Sequence, residues 1–110
     1  MTNGSETAPI AVRLEDKIEF VTDGIVSKTL VEEDFGEVEV FCMSGGKAMS
    51  EHTASRNAAV HFLKGHARMK LGDTWHDALP GSWFLMPAGL PHALEALEDT
   101  VFMLTLFGPG

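Results

Sequence analysis

Short apolar runs alternate along this chain with clusters of turn-forming residues. The clearest run spans His66 to Leu71, where Ala67, Met69 and Leu71 interleave with His66, Arg68 and Lys70. That is the period of a strand with one buried and one wet face. From Val26 onward the interruptions are regular: Asp34-Phe35-Gly36, Ser44-Gly45-Gly46, Lys64-Gly65, Gly72-Asp73, Pro80-Gly81 and Pro87 to Pro91. Short strands with turns this closely spaced predict an all-β sandwich or barrel. WFLMP, from Trp83, and VFMLTLF, from Val101, are apolar on both parities. Such runs call for cover on both sides, by the barrel interior and by a second layer or a second subunit. RLEDKIEF sets Leu14 and Ile18 four apart, which suits one helical turn or the start of a strand. Residues 1–12 are mostly polar and without period, so they predict a flexible tail ahead of one barrel domain over 13–110.

The segment GSWFLMPAGLPHALEAL, from Gly81 to Leu97, changes character in its middle. Pro87, Gly89 and Pro91 end strand pairing, because proline supplies no amide donor and glycine accepts the positive φ that a reversal needs. When the chain resumes as a strand, His92, Leu94 and Ala96 share one face, and Ala93, Glu95 and Leu97 the other.

Composition narrows the class of partner. The chain has 110 residues and 45% hydrophobic content, about one domain with a sizeable core. Eight basic against sixteen acidic side chains give a formal charge of −8, and no basic cluster exceeds two neighbours. That balance argues against nucleic acid and against an anionic membrane surface as partners. Cys42 has no second cysteine to pair with and sits among apolar neighbours, as a buried thiol in a reducing cytoplasm does. The first residues do not resemble a signal peptide, and no apolar stretch reaches the roughly 18 residues of a membrane span.

Gly81, five residues, Pro87, one residue, Gly89, two residues and His92 make one spaced pattern, and His52 stands thirteen positions before Gly65. Together these resemble the two motifs of the cupin superfamily, most closely its small single-domain bacterial members. The second motif, around 81–96, matches well; the first, around 45–65, matches in part. The resemblance implies a double-stranded β-helix, the cupin jelly-roll barrel, with a divalent metal ion (Zn, Fe, Mn, Ni or Cu) in its lumen and a homodimer as the assembly. It places the His92 face in the lumen, with His52 aimed at the same point.

Where the family's first motif carries further ligands, this chain has Ala54 and Ala58. Two histidines alone hold a metal weakly and leave positions for water or substrate. His61 has the opposite parity to Ala58 and turns inward only through a β-bulge. Glu51 and Glu95 take the outward parity. The expected pocket lining is Ala54, Ala58, Val60, Phe62, Phe84, Met86 and Leu94, a roomy apolar lumen suited to a small molecule. His66 reads as a solvated strand residue, His76 as a strand cap or pocket mouth, and Arg56 as a surface group or an anion contact at the barrel mouth. Two functions fit: a small-molecule-binding barrel, with or without metal, and a metal-dependent dioxygenase or isomerase acting on a small organic acid. No residue is assigned a catalytic role.

Overall fold

The computed structural model describes residues 8–109. Of the expected tail, residues 1–7 lie outside the described residues, and 8–12 are exposed without regular structure. The ambiguous segment after them forms a single 3-10 turn, Leu14–Lys17, not a strand. Nine strands follow: β1 Ile25–Glu33, β2 Gly36–Met43, β3 Ala48–His52, β4 Asn57–Lys64, β5 Ala67–Leu71, β6 Thr74–Ala78, β7 Trp83–Met86, β8 His92–Ala96 and β9 Thr100–Phe107. They build a five-stranded sheet, β1-β2-β9-β4-β7, facing a four-stranded one, β3-β8-β5-β6. Every pairing is antiparallel. This is the double-stranded β-helix expected from the sequence.

Glycine and proline set the corners. Gly72 takes φ +61° in the two-residue turn that joins β5 to β6, with Leu71 opposite Thr74. Gly65, at φ +90°, closes β4 where a Cβ would run into the backbone of Asp99 and Thr100. Only glycine permits that approach.

Between the sheets lies one large core. Ala58, Val60 and Phe62 of β4 alternate with Ala59, His61 and Leu63, and only the first set is fully buried. Phe62 packs against Phe84 edge-on at 5.9 Å and against Phe102 at 5.3 Å between ring centroids. A second, smaller core lies on the outer face of the large sheet, where Leu14 and Ile18 cover Val40, Cys42 and Val101.

That outer cover is incomplete. The 3-10 segment shields one end of the face, while Trp83 is 60% and Leu85 46% exposed. Among the described residues WFLMP is therefore covered on one side only, so of the two covers its apolar pattern calls for, a second layer within the described residues is absent. The reason is length: one short turn spans the middle strands and does not reach edge strand β7.

Candidate ligand site between His52 and His92

The Pro87–Pro91 turn delivers β8 into the barrel at a fixed height. Gly89, at φ +85°, donates its amide to the Ala54 carbonyl at 2.9 Å, and Ala88 donates to Asn57 Oδ1 at 2.9 Å. Pro91 accepts from the Gly72 amide at 2.8 Å. The turn is thus strapped to the loop that follows His52 on one side and to the β5–β6 hairpin on the other. Strand pairing then sets His52 directly opposite His92.

A local irregularity brings His52 to the inner face. Met49 pairs with Leu94 and His52 with His92, so three steps along β3 match two along β8. The extra residue is a β-bulge, and it reverses the parity of everything after it. Met49 and His52 therefore both face the interior, although plain alternation puts them on opposite sides.

Hydrogen bonds determine the state of both rings. The Nδ1–H of His52 donates to the Ser50 carbonyl at 2.7 Å, and that of His92 donates to the Leu90 carbonyl at 2.9 Å. A carbonyl only accepts, so both Nδ1 atoms carry the proton and both neutral rings present a bare lone pair at Nε2. Those two Nε2 atoms face each other at 3.0 Å.

A metal ion sets two requirements on such a pair. Nitrogens about 2.0–2.1 Å from one ion stand roughly 2.9–3.4 Å apart for bond angles between about 90° and 109°. Metal-ligating histidines also characteristically donate their second N–H to a carbonyl or carboxylate, which sets the tautomer. The pair meets both conditions. Ala54 and Ala58 supply no ligand, and among the described residues no group of three or more His, Cys, Asp or Glu gathers as a metal-holding cluster. Two imidazole nitrogens thus meet at one point, with no third donor of that kind gathered beside them among the described residues.

His92 is only 7% exposed, and His52 is exposed at the barrel mouth. Both line a cavity of about 120 Å³. Its small-sheet wall is Met49, Met69 and Leu94, and its large-sheet wall is Phe41, Val60, Met86, Phe102 and Leu104. Of the lining expected from sequence, Val60, Met86 and Leu94 are present, and four residues are elsewhere. Ala58 and Phe62 are sealed in the core. Phe84 packs against Phe62 and against His76, whose ring centroid is 5.7 Å away. Ala54 lies in the loop, held through its carbonyl by Gly89. The walls that reasoning from the motifs missed, Phe41, Met69, Phe102 and Leu104, come from strands outside the second motif and mostly from the facing sheet.

The remaining histidines stand apart from the pair. His61 is half-buried on the outer face of the large sheet, between Trp83 and Met103. His66 contacts Asp77 at 3.1 Å on the surface. His76 pairs with Met69 and packs on Phe84 at the opposite edge of the barrel. Arg56 donates to the carbonyls of Gly108 and Asp34 at 3.1 and 3.2 Å, clamping two loops.

Beside the cavity the large sheet turns acidic. Glu39 pairs directly with Leu104 and shares a strand face with Phe41, while Glu37 pairs with Leu106 and Glu32. Burial holds the Glu39 carboxyl above its ordinary value of 4.5, reinforced by its hydrogen bond to Glu37 and by the charges of Glu37 and Glu32. A carboxyl whose folded value exceeds its unfolded one binds its proton more tightly in the folded state, so it favours folding in acid and opposes folding once ionised. The stability gained by Glu39→Gln over the parent chain is therefore expected to grow as pH rises from 4.5 to neutrality. Urea midpoints of the two proteins across that range measure it; a difference that shrinks as pH rises contradicts this account.

No protein-family profile matches this chain, and no curated protein is similar to it in sequence at a significant level. Solved structures are similar. A conserved protein of unknown function from Streptococcus pyogenes superposes with a TM-score of 0.83 at 27% identity, over 94% of this chain and 91% of that one. A cupin superfamily protein from Desulfitobacterium hafniense DCB-2 gives 0.82 at 20% identity, over 92% and 93%. A DMSP lyase from Ruegeria pomeroyi DSS-3 gives 0.71 at 21% identity, over 76% of this chain and 47% of that one. One architecture thus carries proteins of different or unassigned activity, and function has to be argued from the site.

Proposed function

We propose that this chain, a small cupin barrel by its fold, binds a small molecule in the cavity at His52 and His92 and holds one divalent metal ion between their Nε2 atoms. The observation that supports this reading is the pair of inward lone pairs at 3.0 Å, each ring committed through Nδ1 to a backbone carbonyl. Imidazole suits Zn, Ni, Cu and Fe, and Mn less well. When bound, the metal supplies a Lewis acid with open positions. The protein's own contribution is to orient two imidazoles and to keep one side of the site dry with Met49, Leu94 and Phe102.

Calorimetric titration of chelator-treated protein with nickel or zinc tests the reading. One ion per chain is expected. Absence of saturable binding in the parent chain at millimolar metal removes the metal from the proposal, and a crystal soaked in the same ion then shows whether the rings share only a proton.

A second reading, a metal-dependent dioxygenase or isomerase acting on a small organic acid, draws on the same scarcity of protein ligands, since open positions are what a coordinating substrate needs. Loss of a candidate acid that depends on the added metal, and on His92, distinguishes it from binding alone.

In this reading the protein works in the reducing cytoplasm as a homodimer, the second copy lying on the exposed strip of Trp83 and Leu85. Among the described residues no helix is long and apolar enough to cross a membrane. Trp83→Glu is expected to convert a dimer to a species of one-chain mass in light scattering, with little change in folded signal. A parent chain that already has the one-chain mass overturns the dimer.

A further inference from the structure

Three of the chain's six methionines, Met49, Met69 and Met86, line the cavity that holds His52 and His92. Met69 is 3% and Met86 4% exposed, and Met49 is half-buried. The remaining walls are hydrocarbon, and among the described residues no carboxylate, thiol, hydroxyl or amide side chain lines the cavity. Every donor atom that its side chains offer is therefore an imidazole nitrogen or a thioether sulfur.

Register brings two of the sulfurs alongside the nitrogens. Across the small sheet His52, His92 and Leu71 form one row, and Met49, Leu94 and Met69 form the next row on the same face. Neighbouring rows on one face of a strand are about 7 Å apart, two rises of the chain. An unbranched methionine side chain, free to turn about each of its bonds, spans much of that distance, and the imidazoles reach from the other side. Met86 belongs to the facing sheet and shares no row with the histidines.

The geometry of the pair favours such company. An ion about 2.0 Å from both Nε2 atoms, which stand 3.0 Å apart, sees them nearly at a right angle. Copper(I) with two nitrogens alone favours a straight N–Cu–N line, so a bent pair needs further ligands to hold it. Soft thioethers select copper(I). A dry apolar wall also suits an ion of single charge better than one of double charge, because the cost of leaving water rises steeply with charge.

We propose that this site takes monovalent copper in preference to divalent ions, held by Nε2 of His52 and His92 and by the Sδ atoms of Met49 and Met69. The proposal rests on the reading of His52 and His92 as metal ligands and adds the sulfurs, which decide the ion.

The test titrates the full, chelator-treated chain with copper(I), kept reduced by ascorbate without air, against bicinchoninate as competing chelator, and in parallel with nickel. One copper(I) per chain is expected, bound at least about a hundredfold more tightly than nickel. Leucine conserves the volume of methionine and removes the sulfur, so Met49→Leu/Met69→Leu is expected to keep its thermal midpoint near that of the parent. Its copper(I) affinity is expected to fall at least about tenfold while nickel affinity stays within about twofold. Met103→Leu, on the outer face beside His61, is the control and is expected to change neither. Should the double variant not fold, Met49→Leu alone carries the comparison, with a several-fold loss of copper affinity expected. Copper(I) bound no more tightly than nickel, or bound equally by the double variant and the parent, overturns the proposal. Copper affinity lost with Cys42→Ala, which removes the thiol of the outer core, overturns it too. Nickel bound without a preference for copper removes the sulfur ligands and leaves the histidine site, copper(I) bound through sulfur without nickel removes the divalent ion alone, and a chain that binds neither removes both.

Discussion

His92→Ala is expected to abolish stoichiometric binding of nickel or zinc, raising the dissociation constant by at least about a hundredfold. Losing only an outer hydrogen-bond partner of a metal ligand typically costs about 10–100-fold in affinity. In the proposed site one of two protein ligands disappears, and a single exposed imidazole at His52 remains. The substitution also frees the Leu90 carbonyl and opens space beside Leu94, yet β8 stays anchored by its pairings with β3 and β5. The variant should therefore fold. Circular dichroism confirms folding, and calorimetry of the chelator-treated protein reads the affinity. Metal bound by the variant as tightly as by the parent would move the site away from these two rings.

Phe62→Ala is expected to destabilise the chain by about 3–5 kcal/mol, the range for truncating a fully buried phenylalanine. Phe62 is 1% exposed and touches both Phe84 and Phe102, so it joins β4 to the strands on either side of it in the large sheet. It stands behind the cavity wall and not in it. Its loss should lower the urea midpoint sharply while leaving metal affinity near that of the parent under conditions where the variant is folded. That outcome contrasts with His92→Ala, where affinity falls and stability changes less. A fall in metal affinity for folded Phe62→Ala that matches its fall in stability would mean that the core and the site are one unit.

The two variants separate what a linear reading can reach from what it cannot. Strand period and turn residues are local signals: Ala67, Met69 and Leu71 turn inward on β5, and Gly72 makes its reversal, because alternation and positive φ act over a few residues. The barrel, the corner at Pro87 to Pro91 and the inward face of His92 are legible on those grounds, together with the spacing of the second motif. The inward face of His52 is not legible from alternation; only the resemblance of the first motif implies it. It depends on the β3 bulge, which exists only because β3 is held in register against β8. Parity counted from Met49 alone points His52 outward.

The cavity lining follows the same division. Val60, Met86 and Leu94 lie near the motifs and share the inward parity. Phe41, Phe102 and Leu104 belong to β2 and β9, which the motif spacing leaves out, and they reach the histidines only because the large sheet folds across the small one. Ala58 and Phe62 have the right parity and the wrong depth, since the sheets close on them more tightly than alternation reveals. Glu39 is ordinary in sequence, one glutamate among several; pairing with Leu104 and packing beside Glu37 set it apart. Local chain chemistry thus decides the strands, the turns and the presence of two imidazoles in this protein. Register and sheet closure, which arise from contacts between distant residues, decide that the imidazoles meet and that aromatic rings gather beside them.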